Sequence, residues 1–306
     1  MPELPEVQTI VNNLEKILPG LTFRDVWTDT PKLIKYPGTF PEFKKMILGK
    51  KVLSCKRRGK NILIHLSHNL TLLVHQKMTG HLMYGRWGLE VGRPARTIDI
   101  VQSGGWKSLV LGPLRDDPQN RFIRLLFTLS NKHQLALCDM RKFAKVILWK
   151  TSKLNELEDI KKLGPDPAHK NFTFKKFIEI MKNRKGKIKQ ALMDQSVVSG
   201  IGNIYADESL WGSGIHPVQK IQNLKEKHFK KLYGEIRSVL KAAIKAGGSS
   251  NIDFRNAHGE RGKYQEVHGA YHLHGKKCQK NDGGIIKQIR LGGRSTHFCP
   301  AHQRLI

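Results

Sequence analysis

Cysteine is scarce in this chain. Four residues in 306 are too few for the disulfide scaffold of a secreted domain. No uncharged run approaches the roughly 18–20 residues that a membrane span requires. The N-terminus has neither the basic n-region nor the apolar h-region of a secretory leader, so the chain is expected inside the cell. Acidic residues are also few, 25 Asp and Glu against 54 Lys and Arg. The formal charge of +29 opposes self-association, which points to a monomer, and favours a polyanion as partner, nucleic acid first. A hydrophobic fraction of 39% is ordinary for a soluble protein, and the length suits two or three units with sizeable cores.

What is present begins at the first residues, Met1-Pro2-Glu3-Leu4-Pro5-Glu6-Val7. Removal of the initiator Met leaves a secondary amine beside a carboxylate. An α-amino group has an ordinary pKa of about 7.7–8, against about 10.4 for Lys, so a useful fraction is neutral and nucleophilic at cellular pH. Such an amine can add to a sugar C1′ or an aldehyde and leave as an iminium, with Glu3 close enough to move protons. The competing reading is that Pro2 and Pro5 only open a first helix, a position where proline is well tolerated.

Val7, Ile10, Val11, Leu14, Ile17 and Leu18 follow the spacing of an apolar helix stripe, ended by Pro19-Gly20. From about residue 21 to 150 the pattern becomes short β runs: 61–66, 70–75, 122–129, 134–138 and 143–149. Ser67-His68-Asn69 and Ser130-Asn131-Lys132-His133 read as hairpin links, which predicts an antiparallel sandwich. Residues 88–121 read as an excursion between strands. Residues 172–183, 186–195 and 223–245 are predicted helical, with the Gly-rich break 196–203 before another helix. A Gly-rich turn entering a helix makes a phosphate cradle, though a plain helix–helix turn has the same composition. Residues 249–266 read as a mobile loop and 267–306 as a short β-rich tail holding Cys278 and Cys299.

Six motifs, in order along the chain, resemble those of formamidopyrimidine-DNA glycosylases: the Pro2–Val7 start, Arg58-Gly-Lys60, Met78-Thr-Gly80, Asp139-Met-Arg-Lys-Phe143, Gly200-Ile-Gly-Asn203 and Gly292-Gly-Arg-Ser-Thr-His-Phe-Cys299. The resemblance implies an α+β fold. Its parts are an N-terminal antiparallel β-sandwich with a long N-terminal helix (1–150), a helix-two-turn-helix domain with a lesion loop (151–266), and a C-terminal β-hairpin zinc-finger-like module (267–306). It implies a bifunctional glycosylase and abasic-site lyase gripping damaged double-stranded DNA in a cleft, working in the cytoplasm on the bacterial nucleoid. The substrates implied are 8-oxoguanine and formamidopyrimidines. An endonuclease VIII-like enzyme for oxidised pyrimidines is the alternative within the family, and a catalytically idle, basic DNA-binding relative the alternative outside it.

By that resemblance Pro2 is the nucleophile at C1′ and Glu3 the proton shuttle. Successive eliminations on the 3′ and 5′ sides then open a one-nucleoside gap. Lys60, Asn203 and Arg294 resemble the residues that clamp the phosphates flanking the lesion, Lys60 and Arg294 thereby serving catalysis directly. His75 is a further phosphate-contact candidate and Glu6 an acidic neighbour of the damaged nucleotide, or simply a first-turn Glu favoured by the helix dipole. Met78, Arg141 and Phe143 match a triad that fills the void left by a flipped nucleotide; core packing is the other reading of Met78 and Phe143.

The finger departs from the family, which reads Cys-x-x-Cys, about sixteen residues, then Cys-x-x-Cys around one structural zinc. Here Cys278 is followed by Gln-Lys-Asn281-Asp282, and the second pair is Cys299-Pro-Ala-His302. Histidine is an ordinary zinc ligand. Asn281 keeps the expected distance from Cys278, whereas Asp282 keeps the expected distance to Cys299 and is the better ligand, so Cys278, Asp282, Cys299 and His302 form the expected zinc site. A metal-free finger held by packing is the alternative.

Overall fold

A computed structural model describes residues 1–89, 105–251 and 253–306. The chain divides into two compact units, one of residues 1–157 with 247–263, the other of 158–246 with 264–306. The segment 247–263 therefore belongs with the β-structure, and the C-terminal tail with the helices.

The first unit opens with α1, Leu4–Ile17, with proline in its first turn. Its stripe Val7, Ile10, Val11 and Leu14 is at most 4% exposed, as 3.6-residue periodicity requires of a helix laid on a sheet. The helix stops at Pro19-Gly20, where Gly20 takes φ +90°, a region that costs glycine little. The strands are β1 Phe23–Thr28, β2 Ile34–Tyr36, β3 Val52–Arg58, β4 Asn61–Leu66, β5 Leu70–His75, β6 His81–Gly85, β7 Trp87–Leu89, β8 Trp106–Ser108, β9 Ile123–Leu129, β10 Gln134–Cys138 and β11 Lys145–Lys150. They form a four-stranded sheet in the order β1-β9-β10-β6 and a five-stranded sheet in the order β2-β11-β5-β4-β3. The pairs β4/β5 and β9/β10 are antiparallel, as the two hairpin links predict. The short β2 differs from the expected pattern by running parallel to β11.

Inward residues of both sheets, among them Ile62, Ile64, Leu72, Val74, Leu125, Phe127, Leu135 and Leu137, share one core with the α1 stripe. The run 122–129 reads as continuous rather than alternating because β9 is covered on both faces. Ile123 and Leu126 pack in a second cluster with Met83, Trp87, Ala136 and Leu114. Residues 90–104 of the expected excursion lie outside the described residues. The remainder supplies β7, β8 and the cover over β9.

The loop read as mobile at 249–266 is tied down along the part that joins this unit. Phe254 and Ala257 enter the main core, Tyr84 N–H donates to the Ala257 carbonyl at 2.8 Å, and Arg255 clamps Asp117 through two hydrogen bonds of 2.6 and 3.1 Å.

The second unit holds the helices Phe174–Lys182, Ile188–Met193, Asn203–Ser213 and Glu226–Lys245, with the hairpin β12 Lys287–Leu291 and β13 Arg294–Phe298. That hairpin is the tail's regular β-structure among the described residues; the rest is turns around a core of Ala270, Cys278, Ile286 and Cys299. A fully buried ion pair, Lys189 to Asp207 at 2.7 Å, joins two helices to the hairpin. Lys189 Nζ also donates to Thr296 Oγ1 at 2.7 Å, and the His297 N–H donates to Asp207 at 2.9 Å. Removing one member leaves a buried charge uncompensated, a loss of about 3–5 kcal/mol. Among the described residues no helix is long and apolar enough to cross a membrane.

Candidate active site

Pro2 is buried at the start of α1, and Glu3 and Glu6 are 3% and 1% exposed. Glu6 Oε2 accepts the Glu3 N–H at 2.7 Å and Oε1 accepts the Ser249 N–H at 2.8 Å. Glu6 thus ties the helix start to the 247–263 segment. Burial holds the Met1 α-amine below its ordinary value, with the Lys60 cation pushing the same way and the carboxylates of Glu3, Glu6 and Asp253 opposing them. The chain's end therefore lies in a buried setting beside one cation and three carboxylates. Lys60 is 6% exposed. It is placed by the two-residue turn Gly59-Lys60 between β3 and β4, with Arg58 opposite Asn61. Gly59 takes φ +58°, as the first residue of such a tight hairpin needs.

His75 ends β5, and Met78, Arg141 and Phe143 sit on the loops that follow β5 and precede β11. His75 Nδ1 accepts the Lys77 N–H at 3.0 Å, so the proton of the neutral ring resides on Nε2. Phe143 is 52% exposed, and the Arg141 guanidinium lies 4.7 Å from its ring centroid. An exposed ring carrying a cation is not core, so the packing reading fails for Phe143. Met78 is half-buried beside it.

Asp139 organises this loop, a role that the residue pattern did not reveal. Fully buried, it accepts the N–H groups of Phe143 and Ala144 at 2.7 Å and of Arg141 at 3.2 Å, and the Thr79 hydroxyl. The available signal was an acid placed directly after the apolar strand β10 and a few residues before an exposed aromatic, the arrangement in which Asp bonds to following backbone N–H groups. Asp139→Ala is expected to leave three backbone donors unsatisfied. Each costs about 1–3 kcal/mol, and Phe143 should lose its fixed placement. Thermal denaturation and DNA binding check this; a variant as stable as the parent would contradict it.

In the second unit Asn203 is the first residue of its helix, reached through Gly200 at φ +96°. Its Nδ2 donates to the Ser295 carbonyl at 2.9 Å, linking the helix start to β13. Arg294 is exposed at the tip of the β12/β13 hairpin, where Gly292 and Gly293 take φ +55° and +74°. Two consecutive positive φ values are the signature of a type I′ turn.

Cys278, Asp282, Cys299 and His302 present one ligand atom each, all within 4.8 Å of one another. Asn281 is exposed, at φ +54°. The donor set fits a tetrahedral metal. The Cys278 Sγ to His302 Nδ1 distance is 3.8 Å and Cys299 Sγ to Asp282 Oδ2 is 3.3 Å, against tetrahedral edges of about 3.3–3.8 Å for ordinary zinc bond lengths. His302 Nε2 faces the Trp211 carbonyl at 3.1 Å, His302 Nδ1 pairs with Asp282 Oδ2, a contact that a bound metal would replace, and the Gly284 N–H holds Asp282 Oδ1 at 2.8 Å. Such outer contacts fix ligand orientation. The Gly284 N–H keeps the Asp282 carboxyl well below the usual range, while burial pushes the Cys299 thiol up to about 11, a proton that a metal would displace.

A β-sandwich, a helical unit with a hairpin, and strong positive charge define a protein of the kind that acts on nucleic acid. Residues 1–146 match the model of the formamidopyrimidine-DNA glycosylase N-terminal domain, and residues 163–255 that of the formamidopyrimidine-DNA glycosylase H2TH domain. The chain is 37% identical over 305 residues to the formamidopyrimidine-DNA glycosylase of Pelotomaculum thermopropionicum, covering 100% of both. It is 34% identical to that of Bacillus subtilis, covering 98% of both. Among solved structures it resembles the Lactococcus lactis Fpg in complex with DNA containing an abasic site, with TM-score 0.82, 31% identity and 99% of each chain covered. A variant of that enzyme bound to Fapy-dG DNA gives TM-score 0.81 and 30% identity, with 99% of this chain and 100% of that one covered. The chain belongs to the formamidopyrimidine-DNA glycosylase family and is an enzyme of the glycosylase and abasic-site lyase type.

Proposed function

We propose that the chain excises oxidised purines, 8-oxoguanine and formamidopyrimidines, from duplex DNA through the Pro2 nitrogen. The observation that carries this is the N-terminus itself: Pro2 buried, Glu3 beside it, and Lys60 and Asp253 acting on the same end. With Met1 removed, the neutral secondary amine attacks C1′, the glycosidic bond breaks, and the base departs with the bonding pair and a proton. Glu3 moves the proton that opens the sugar ring, and the resulting iminium acidifies C2′ so that the 3′ phosphate and then the 5′ phosphate are eliminated. Glu6 acts through Glu3, whose backbone N–H it holds.

Lys60, Asn203 and Arg294 hold the phosphates flanking the lesion, with His75 in support. Met78, Arg141 and Phe143 occupy the place of the flipped nucleotide. Three functional modules, 1–150, 151–266 and 267–306, are thereby carried on two compact units. The Cys278, Asp282, Cys299 and His302 group holds one structural zinc, whose contribution is to fix the hairpin bearing Arg294. The enzyme works as a monomer in the cytoplasm, on the bacterial nucleoid.

A panel of duplex oligonucleotides carrying oxidised purines or oxidised pyrimidines, run with and without borohydride, tests the reading. Strand cleavage and trapping on the purine lesions are expected. Cleavage confined to the pyrimidine lesions would overturn the substrate assignment. Replacing Lys60 or Arg294 by Ala is expected to lower the slope of log K against log salt by about 1 each, since each removes one phosphate contact and its released counterion. Unchanged slopes would contradict the clamp.

A further inference from the structure

The end of the five-stranded sheet that carries Lys60 carries a second group of cations. Asn61 lies opposite His75, His75 opposite Lys145, and Val146 opposite Ile34. The Gly59-Lys60 turn, the loop after β5, the loop before β11 and the segment leading into β2 therefore emerge at one end of the sheet. Lys60 stands toward one edge of this end, and Lys32 and Lys35 flank the start of β2 at the other. Three strand spacings separate β4 from β2, about 14 Å.

At the β2 side of this end lies a shallow basin of about 420 Å³, lined by Lys32, Lys35, Lys77 and Lys142 together with Met78 and Phe143, and by no carboxylate. Lys77 and Lys142 take φ +54° and +56°. That region is sterically costly for a side chain and free of penalty for glycine. Each precedes a wedge residue, Lys77 before Met78 and Lys142 before Phe143. Two ammonium groups thus stand at strained backbone positions beside the two apolar side chains.

We propose that this basin seats the backbone phosphates of the complementary strand, opposite the extruded nucleotide. The inference rests on the reading in which Lys60 grips the damaged strand and Met78 and Phe143 enter the duplex. If they do, the strand that stays stacked must pass the cations on the far side of the wedge. The spacing agrees. A minor groove of about 6 Å with the phosphate groups that wall it spans about 12 Å, and an inserted wedge opens it further. The apolar and cationic lining suits a sugar-phosphate backbone, and four lysines without an acid suit no cation or neutral ligand.

The test uses a duplex with a tetrahydrofuran abasic-site analogue in which single phosphates of either strand are replaced by neutral methylphosphonates. With the parent protein, neutralising one of the complementary-strand phosphates opposite the lesion is expected to weaken binding by a factor on the order of five. In Lys77→Gly/Lys142→Gly, which suits the backbone of both turns, that sensitivity should vanish and the salt slope should fall by about 2. Sensitivity to the damaged-strand phosphates should remain. Lys32→Ala/Lys35→Ala, on a different element, should give the same strand-selective loss. Equal sensitivity to both strands in parent and variants, or a loss that maps to the damaged strand, would overturn the proposal. Borohydride trapping on a natural abasic-site duplex runs alongside. Failure of the parent to trap would overturn the catalytic reading beneath it, whereas trapping without strand-selective coupling would overturn the basin alone.

Discussion

A chain that keeps Met1 is expected to form no covalent complex with DNA. Extending the terminus by one residue turns the Pro2 nitrogen into a tertiary amide with no lone pair to donate, and puts a primary amine one residue away from the position the sequence prepares. Pro2→Gly, with Met1 removed, restores a free amine without the ring and is expected to excise slowly and trap weakly. Glu3→Gln separates the roles: the fold and DNA binding stay, because glutamine fills the same volume, while base excision falls by about 10²- to 10⁴-fold with the loss of the proton carrier. Single-turnover kinetics on 8-oxoguanine duplex, paired with a binding measurement, read both effects. Excision at the parent rate by either the Met1-retaining chain or Glu3→Gln would refute the corresponding assignment.

Removal of the zinc proposed for the Cys278, Asp282, Cys299 and His302 group is expected to have the next largest effect. The tail buries only a small core around Cys278, Ile286 and Cys299, and a two-stranded hairpin is marginal by itself. Metal binding there is folding free energy, and chelation should disorder the tail and take Arg294 with it. Trp211 reports the event directly, since its Nε1–H donates to Cys278 Sγ at 3.4 Å and its emission should change as the thiol becomes a metal-bound thiolate. Asp282→Ala should weaken zinc by at least the 10- to 100-fold that outer-contact changes cost, and Asp282→Cys should tighten it. Asn281→Cys should tighten it less, because Asn281 is exposed and Asp282 is not. Metal-free protein with unchanged Trp211 emission and unchanged DNA affinity would show a finger held by packing.

The fold was legible where apolar content is regular or continuous. The α1 stripe shows the period of a helix buried on one face, and β4, β5 and β10 read as short apolar runs because they are buried on both faces. β3, reading Val-Leu-Ser-Cys-Lys-Arg-Arg, is an edge strand with a mostly polar outer side, and β2 has three residues in a parallel pair with β11; neither leaves a mark in hydrophobic pattern. The candidate site was legible as motifs because Pro2, Lys60, Asn203 and Arg294 sit at a chain end, a tight turn, a helix start and a hairpin tip, each with its own composition. What holds them was not. Asp139 collecting three backbone N–H groups, Glu6 reaching Ser249, and the Lys189 to Asp207 pair under Asn203 and the hairpin all join residues distant in sequence or in loop conformation. Between Asn281 and Asp282 the sequence offered only spacing and donor type; the fold adds that Asn281 is exposed in a left-handed backbone conformation and that the Asp282 carboxylate accepts the Gly284 N–H.

The central claim is that the nucleophile is the nitrogen of Pro2, and the most direct measurement is to identify the residue that carries the DNA. Borohydride-trapped complex on an 8-oxoguanine duplex, digested and mapped by mass spectrometry, should place the reduced sugar on the N-terminal peptide beginning at Pro2, with Met1 absent. An adduct on a lysine, Lys60 included, or on a peptide that retains Met1, would contradict the account.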